Sequence, residues 1–285
     1  GMLTAGVTVP LVGIGTAAVK TATDFEAAMS NVRAISGATG AEFEGLEEKA
    51  IELGASTTFS ATEVANAMTE MAKAGWDSQQ IMDGMGGVLD AAAASGEELA
   101  TVSTIVADSI TTFGLAASES TRVADLLAQS ANAGTINITD LGESIKYIGP
   151  VAKTMGFEIE DVVTAITALS TAGIKGSQAG TTLRSMFARL VKPTDDVAAA
   201  MDKLGITLAD SEGNLSSLNA ILEQMRSKFS TLTPEQQTYY ATVLAGQEGM
   251  SGLTALLSMT QEEYDKISVS MKNAAGTAER TADVM

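Results

Sequence analysis

Apolar residues recur along most of this chain at intervals of three and four, the spacing that places side chains on one face of an α-helix. Val64, Ala67, Met68 and Met71 form one such stripe, and Leu99, Val102, Val106, Ile110 and Phe113 a longer one. Leu141, Ile145, Ile148, Ala152 and Met155 make a third, and Val162, Val163, Ile166 and Leu169 a fourth. Capping boxes punctuate the stripes: a hydroxyl or carboxylate accepts from a free first-turn amide while a Glu or Gln reaches back. They read Thr23/Glu26, Thr39/Glu42, Ser60/Glu63, Asp77/Gln80, Ser95/Glu98, Thr233/Gln236 and Thr260/Glu263. Glycines mark the expected stops, at Gly37, Gly54, Gly75, Gly114, Gly134, Gly156, Gly173 and Gly205. The pattern predicts a compact all-α, multi-helix domain of about ten to twelve short helices, most of ~11–18 residues. One small extended turn or hairpin is expected near 206–214, ITLADSEGN, ahead of a helix at about Ser217–Phe229.

Two stretches share a further feature. The helices predicted in Leu53–Asp77 and Thr139–Glu158 each stop at a glycine followed by a bulky aromatic, Gly75–Trp76 and Gly156–Phe157, 81 residues apart. Val64, Ala67, Ile81 and Val88 then fall opposite Ile145, Ile148, Val162 and Leu169, which points to a duplicated helical hairpin. Two copies at that period are too few and too widely spaced for a standard solenoid. Gly75, Trp76, Gly156 and Phe157 read as structural corner residues, each aromatic plugging the gap where two helices meet. A ligand-stacking role is the lesser alternative.

Composition narrows the chemistry. Apolar residues make up 45% of the 285 positions but aromatics only 4%, so the core must be built from Ala, Leu, Ile, Val and Met. The fourteen methionines suit the core first and adaptable docking surfaces second. With no cysteine and no histidine, disulfides, zinc and haem sites and Ser-His or Cys-His catalysis are excluded within the chain. No nucleotide-binding fingerprint appears, and no cofactor is expected. Clusters at Glu42/Glu44/Glu47/Glu48, Glu158/Glu160/Asp161 and Asp195/Asp196 sit where helices should begin and meet the positive end of the helix dipole. Asp210–Asn214 resembles a calcium loop only superficially, because Gly213 places Leu208 at the first ligand position. A net charge of −18 disfavours nucleic acid and anionic membranes.

Leu3–Val19 is a charge-free run interrupted by Pro10, Gly6, Gly13 and Gly15. It is marginal for spanning a membrane and, with its glycines and proline, a poor helix. The expected organisation is an apolar N-terminal arm at 1–22, a helical core at 23–193 with the duplicated hairpins, and a C-terminal helical part of the same domain at 194–285. Val7, Pro10, Leu11 and Ile14 are the candidate docking residues of the arm. Gly1 before Met2 and the open ending Gly276–Met285 are what an excised part of a longer protein would show.

The ordered blocks FEAAMSNVRAISGATG (25–40), TTFSATEVANAM (57–68), ALSTAGIKGSQAGTTLRSMFARLVKP (168–193), LGITLADSEGN (204–214) and VLAGQEGMSGLTALL (243–257) carry a resemblance. With the Thr8–Leu11 run they resemble the head region of phage tail tape measure proteins of the TP901-1 type. The resemblance implies a non-enzymatic structural component of a phage or prophage tail, located in the tail lumen and made in the host bacterial cytoplasm. Such a protein sets tail length during assembly and leaves the tube before DNA passes. Implied partners are further copies of itself (a trimer favoured), tail tube and tail assembly chaperone proteins, and baseplate or tail-tip proteins, with no direct nucleic acid binding. Membrane contact is expected only through the arm. Two other readings are a membrane-active helical effector using the 3–19 arm and, less favoured, a carboxylate-based cell-wall hydrolase.

Overall fold

Successive helices pair into hairpins, and the hairpins stack side by side. The computed structural model describes residues 5–210 and 212–284, with side chains from residue 20 onward. It opens with α1 (Ala5–Ser36) and α2 (Ala41–Ser56). Four hairpin units follow: α3 (Ala61–Lys73) with α4 (Ser78–Ser95), α5 (Leu99–Phe113) with α6 (Ser120–Ala133), α7 (Ile138–Met155) with α8 (Ile159–Thr171), and α9 (Gly176–Val191) with α10 (Asp195–Leu204). The last section holds α11 (Leu218–Phe229), α12 (Pro234–Ser258), α13 (Gln261–Lys272) and α14 (Thr277–Ala282). Fourteen α-helices are therefore described, two more than the upper expectation, plus a short 3₁₀ turn at Ala117–Glu119. The surplus arises because α10 and α14 have only ten and six residues, too short to show several turns of periodicity.

The helices form two layers. In the first, α1, α3, α5, α7, α9 and α12 lie in a row, each packed on the next. In the second, α4, α6 and α8 lie in a row; α13 then packs on α8 and α6, and α14 on α6 and α4. The chain thus runs out along the array and its final helices come back along the second layer. The core lies between the layers. Every residue of the four stripes is buried except Phe113, which packs partly exposed against the core.

The first helices of the four units begin at Ala61, Leu99, Ile138 and Gly176, 38 or 39 residues apart. The corner glycines Gly75, Gly114 and Gly156 follow the same repeat with steps of 39 and 42 residues, so the 81-residue duplication is two steps of it, and the array has solenoid character after all, since each hairpin buries its apolar face on its neighbours. The α5–α6 unit carries no such mark in the sequence, because its corner has Gly114–Leu115 and a 3₁₀ turn instead of an aromatic.

Close packing between neighbouring helices of the first row uses glycines. A Cβ on Gly142 or Gly149 would fall 2.8 Å from Ile105 or 2.3 Å from Thr112, between α7 and α5. One on Gly180 would fall 2.3 Å from the Ser144 carbonyl oxygen, and one on Gly252 2.4 Å from the Thr182 hydroxyl. Gly54 belongs with these. It lies inside α2 and would strike the Ala61 backbone at 2.5 Å, so it permits a close approach where a helix stop was expected.

Four of the seven expected capping boxes form fully, at Ser60, Asp77, Thr233 and Thr260. Thr23 lies inside α1, and the caps of α2 and α5 are Gly40 and Glu98. A capping side chain needs an extended backbone at its own position, and continuous helix at Thr23 removes it. Ile206–Asn214 forms the expected hairpin, with a single antiparallel bridge between Ala209 and Leu215. The Asp210 side chain accepts from the amides of Glu212 and Asn214, both at 2.9 Å, and is held below the usual carboxylate range by those bonds.

Candidate functional site

Gly75 and Gly156 adopt φ of +91° and +69°, a left-handed conformation that costs a residue without Cβ little. The chain turns there by a Schellman motif, in which the residue after the glycine donates back into the last helical turn. Trp76 N–H donates to the Met71 carbonyl at 3.2 Å and Phe157 N–H to that of Ala152 at 2.9 Å. Leu115, Ile174 and Ile206 make the same bond to Ile110, Leu169 and Met201. Each of the five positions is apolar, because the turn aims that side chain under the helix it has just left.

The two aromatics reach different neighbours. Trp76 is 6% exposed and fills the space over Gly84, whose absent Cβ would lie 2.5 Å from the indole. Gly84 Cβ would also sit 3.1 Å from the Ser120 hydroxyl, so Trp76 is wedged where α4 meets the start of α6. Phe157 meets Phe187 of α9 edge to face, 4.9 Å between ring centres, and so joins the α7–α8 corner to the next unit. The geometry leaves neither ring face open as a stacking platform. Val7, Pro10, Leu11 and Ile14 lie on the α1 backbone, and their side chains fall outside the described residues. That backbone is helical from Ala5, where glycine and proline were expected to prevent it. Helix propensity is a weak force beside continuation from the packed half of α1 on α3.

Buried polar junctions pin the second layer, and none was legible in the sequence. Asp125 on α6, buried, accepts from the Gly276 and Ala278 amides at 2.7 and 2.9 Å and so caps α14 from 151 residues away. Gln129 adds bonds to Ser270 and Thr277, and Asn132 one to Thr281. Asp161, read as one of the first-turn acids, is also buried, which raises its pKa. It accepts from the Asn219 side-chain amide at 2.6 Å, and the Asn219 carbonyl oxygen accepts from the Tyr264 hydroxyl at 2.7 Å. One carboxylate thereby ties α8, α11 and α13 together. Glu97 accepts from the amides of Ile138 and Thr139 and caps α7 in place of its own helix. Arg122 pairs with Glu119 and Glu160, linking α6 to α8. A polar residue inside an apolar run, as in Val123-Ala-Asp-Leu-Leu127, was the one available signal.

Of the remaining acids of the predicted clusters, Glu42, Glu44, Glu160, Asp195 and Asp196 lie in first turns and Glu158 at the N-cap of α8, while Glu47 and Glu48 lie a turn further into α2. Among the described residues no group of His, Cys, Asp or Glu is placed to hold a metal ion, and no helix is long and apolar enough to cross a membrane.

The fold and its junctions define a helical-repeat scaffold whose polar groups serve packing. The chain belongs to the phage-related minor tail protein family, whose profile matches residues 47–246. It is 41% identical over 283 residues to the tape measure protein of Pneumococcus phage Dp-1, covering 99% of this chain and 25% of that protein. To the probable tape measure protein of Escherichia phage P2 it is 28% identical over 267 residues, 92% of this chain and 33% of that one. A probable tape measure protein of Clostridium phage phiCD119 is 27% identical over 157 residues, 53% of this chain and 17% of its own length. The chain thus spans about a quarter to a third of the first two relatives. No solved structure matches it significantly.

Proposed function

We propose that this segment is the folded head of a tape measure protein, a structural part of a phage tail that helps set tail length during assembly and leaves the tube before DNA is ejected. The observation that carries the reading is the end-to-end similarity to a tape measure protein about four times as long. The architecture supports a division of labour within such a protein. Drawn out as one helix, 285 residues would span roughly 430 Å at ~1.5 Å per residue. Here the longest helix has 32 residues, about 48 Å, and the chain doubles back on itself. A folded array of this kind docks or nucleates; measurement falls to chain outside it.

In this reading 1–22 is the docking arm, with Val7, Pro10, Leu11 and Ile14 as its contacts, while 23–193 and 194–285 form one helical body. Its partners are other copies, as a trimer, together with tail tube, assembly chaperone and baseplate or tail-tip proteins. It works in the tail lumen after assembly in the host cytoplasm. The acidic exterior keeps it off the genome sharing that tube, since like charges repel over a Debye length of ~8 Å.

An in-frame deletion of one unit, residues 99–137, tests the head role by electron microscopy of the resulting tails. A ruler would shorten by about 58 Å, at ~1.5 Å for each of about 39 residues. A head gives tails of normal length or none, whereas an equal deletion downstream shortens them. Well-formed tails shortened by that increment through the 99–137 deletion would refute the proposal.

A further inference from the structure

Two helices of opposite charge each expose an apolar side chain and leave charges unpaired. α2 carries five glutamates and one lysine in its sixteen residues. It packs on α3 and α4, and its exposed face holds Ala41, Glu44, Glu48, Ile51 and Ala55, spaced by threes and fours. Ile51 is 52% exposed. α9 carries Arg184 and Arg189 and no acid, and Lys192 follows at its C-cap. Its outward face repeats the spacing with Ser177, Thr181, Arg184, Ala188 and Val191, all exposed except the half-buried Thr181. Val191 is 55% exposed, and among the described residues no large apolar side chain between Ile51 and Val191 in the chain is exposed to that degree.

Glu44, Glu48, Arg184, Arg189 and Lys192 enter none of the ion pairs among the described residues. Arg184 lies over the Tyr147 ring of α7 at 5.5 Å, so its guanidinium is held at the surface beside the seam of the two helices. Positions repeating by threes and fours are the pattern of a helix–helix seam. The two faces cannot meet within one chain. α2 sits on α3, and α9 lies three first-row steps beyond α3, about 24–30 Å away at ~8–10 Å per step. Complementary faces held apart in one molecule meet between molecules, as a heterologous contact.

We propose that the exposed face of α2 in one copy of this chain docks on the exposed face of α9 in a second copy. In both helices the charges precede the apolar residue. A parallel pairing therefore sets Glu44 and Glu48 against Arg184, and Ile51 against Ala188 and Val191. Glu52, whose exposed pair with Lys49 costs little to break, then comes beside Lys192. The overall negative charge opposes the approach of two copies, but salt screens it beyond ~8 Å while the facing charges act at contact. One helix on one helix buries less than the ~1,200 Å² of a stable interface, so the contact is weak for a free pair and gains strength where copies are held side by side. The proposal names the surface through which copies meet and rests on these two faces alone. Its failure leaves the head reading in place, since the 1–22 arm remains a contact for copies there.

Small-angle X-ray scattering of the whole chain tests it, at ~0.15 M salt to screen the general repulsion. The mean mass should rise with concentration in the range up to ~1 mM. Arg184→Glu with Lys192→Glu, and separately Glu44→Lys with Glu48→Lys, places like charges face to face. Each pair of changes should raise the concentration needed by roughly tenfold or more. All four positions are exposed, and circular dichroism checks that the variants fold; Ala188→Glu replaces the first pair if that variant does not. Mixed in equal amounts, the two variants present opposite signs to each other and should associate again, although neither does so alone. A wild-type chain that stays monomeric to ~1 mM would overturn the proposal. So would an association that neither reversal weakens, which would place the contact elsewhere, or a mixture of the two variants that stays monomeric.

Discussion

Gly180→Ala puts the close approach of α7 and α9 to a quantitative test. In isolation the change should stabilise, since alanine is favoured over glycine inside a helix by ~1 kcal/mol. Here the new Cβ would lie 2.3 Å from the Ser144 carbonyl oxygen and 2.9 Å from the Tyr147 Cβ. Carbon–oxygen contacts ordinarily begin near ~3.3 Å, so α7 and α9 must separate by about 1 Å, and the nearest atom is backbone that cannot rotate away. The same movement strains the bond from the Ser144 hydroxyl to the Gly176 carbonyl, now 2.8 Å. Overpacking of this kind costs ~1–3 kcal/mol or more, and with the lost bond it outweighs the helical gain. The expected net loss is about 1–2 kcal/mol. Gly86 is the control: it lies in α4, is exposed and has nothing within 4 Å of an added Cβ. Gly86→Ala should gain up to ~1 kcal/mol. For a chain this long 1 kcal/mol corresponds to roughly 1.7 °C, so the variants should melt about 3–5 °C apart. Far-ultraviolet circular dichroism gives the melting temperatures, and hydrogen exchange shows whether the loss centres on α7 and α9. If Gly180→Ala melts at or above Gly86→Ala, the close-packing argument is wrong.

Other outcomes follow from the junctions. Trp76→Ala empties the α3–α4 corner and should cost ~3–5 kcal/mol; Trp76, the chain's sole tryptophan, should emit at short wavelength in the native protein and shift red on unfolding. Asp125→Ala removes the acceptor for two α14 amides, at ~1–3 kcal/mol for charge-assisted bonds of this kind. Limited proteolysis should then cut within 276–284 while the rest of the array stays protected, and uniform protection would count against the cap. Asp90 has its pKa raised by burial and by Glu279, Asp125 and Asp283. The native state therefore binds its proton more tightly than the unfolded chain, and stability falls as pH rises from the ordinary carboxylate range through the raised value. Asp90→Asn should stabilise the protein at pH 7 and lose that advantage under acid, which denaturation at the two pH values measures; a benefit independent of pH would refute the assignment.

Much of the fold was legible because it is written locally. The stripe at Val64–Met71, the boxes at Ser60 and Asp77 and the Gly-aromatic corners all lie within a few residues of what they stabilise. The repeat was half legible: Gly75 and Gly156 stood out through Trp76 and Phe157, while Gly114–Leu115 makes the same turn with an ordinary side chain. The caps that failed did so through the backbone: helix runs on through Thr23, and the helices expected to start at Thr39 and Ser95 are capped at Gly40 and Glu98. Glu97, which no local pattern singled out, reaches a helix 41 residues on.

By itself, the sequence determined that this protein is helical, where most helices begin and turn, that its core is aliphatic and methionine-rich, and that histidine and cysteine chemistry is closed to it. These depend on periodicity, capping and composition, which act over one or two turns of chain. Only the tertiary structure decided that the hairpins form a stacked array, that the last helices return to α4 and α6, and that Asp125, Asp161 and Arg226 are buried. Those outcomes depend on which surfaces meet across 35, 58 or 151 residues of chain, and whether a polar side chain is solvated, paired or stranded is fixed only when they do.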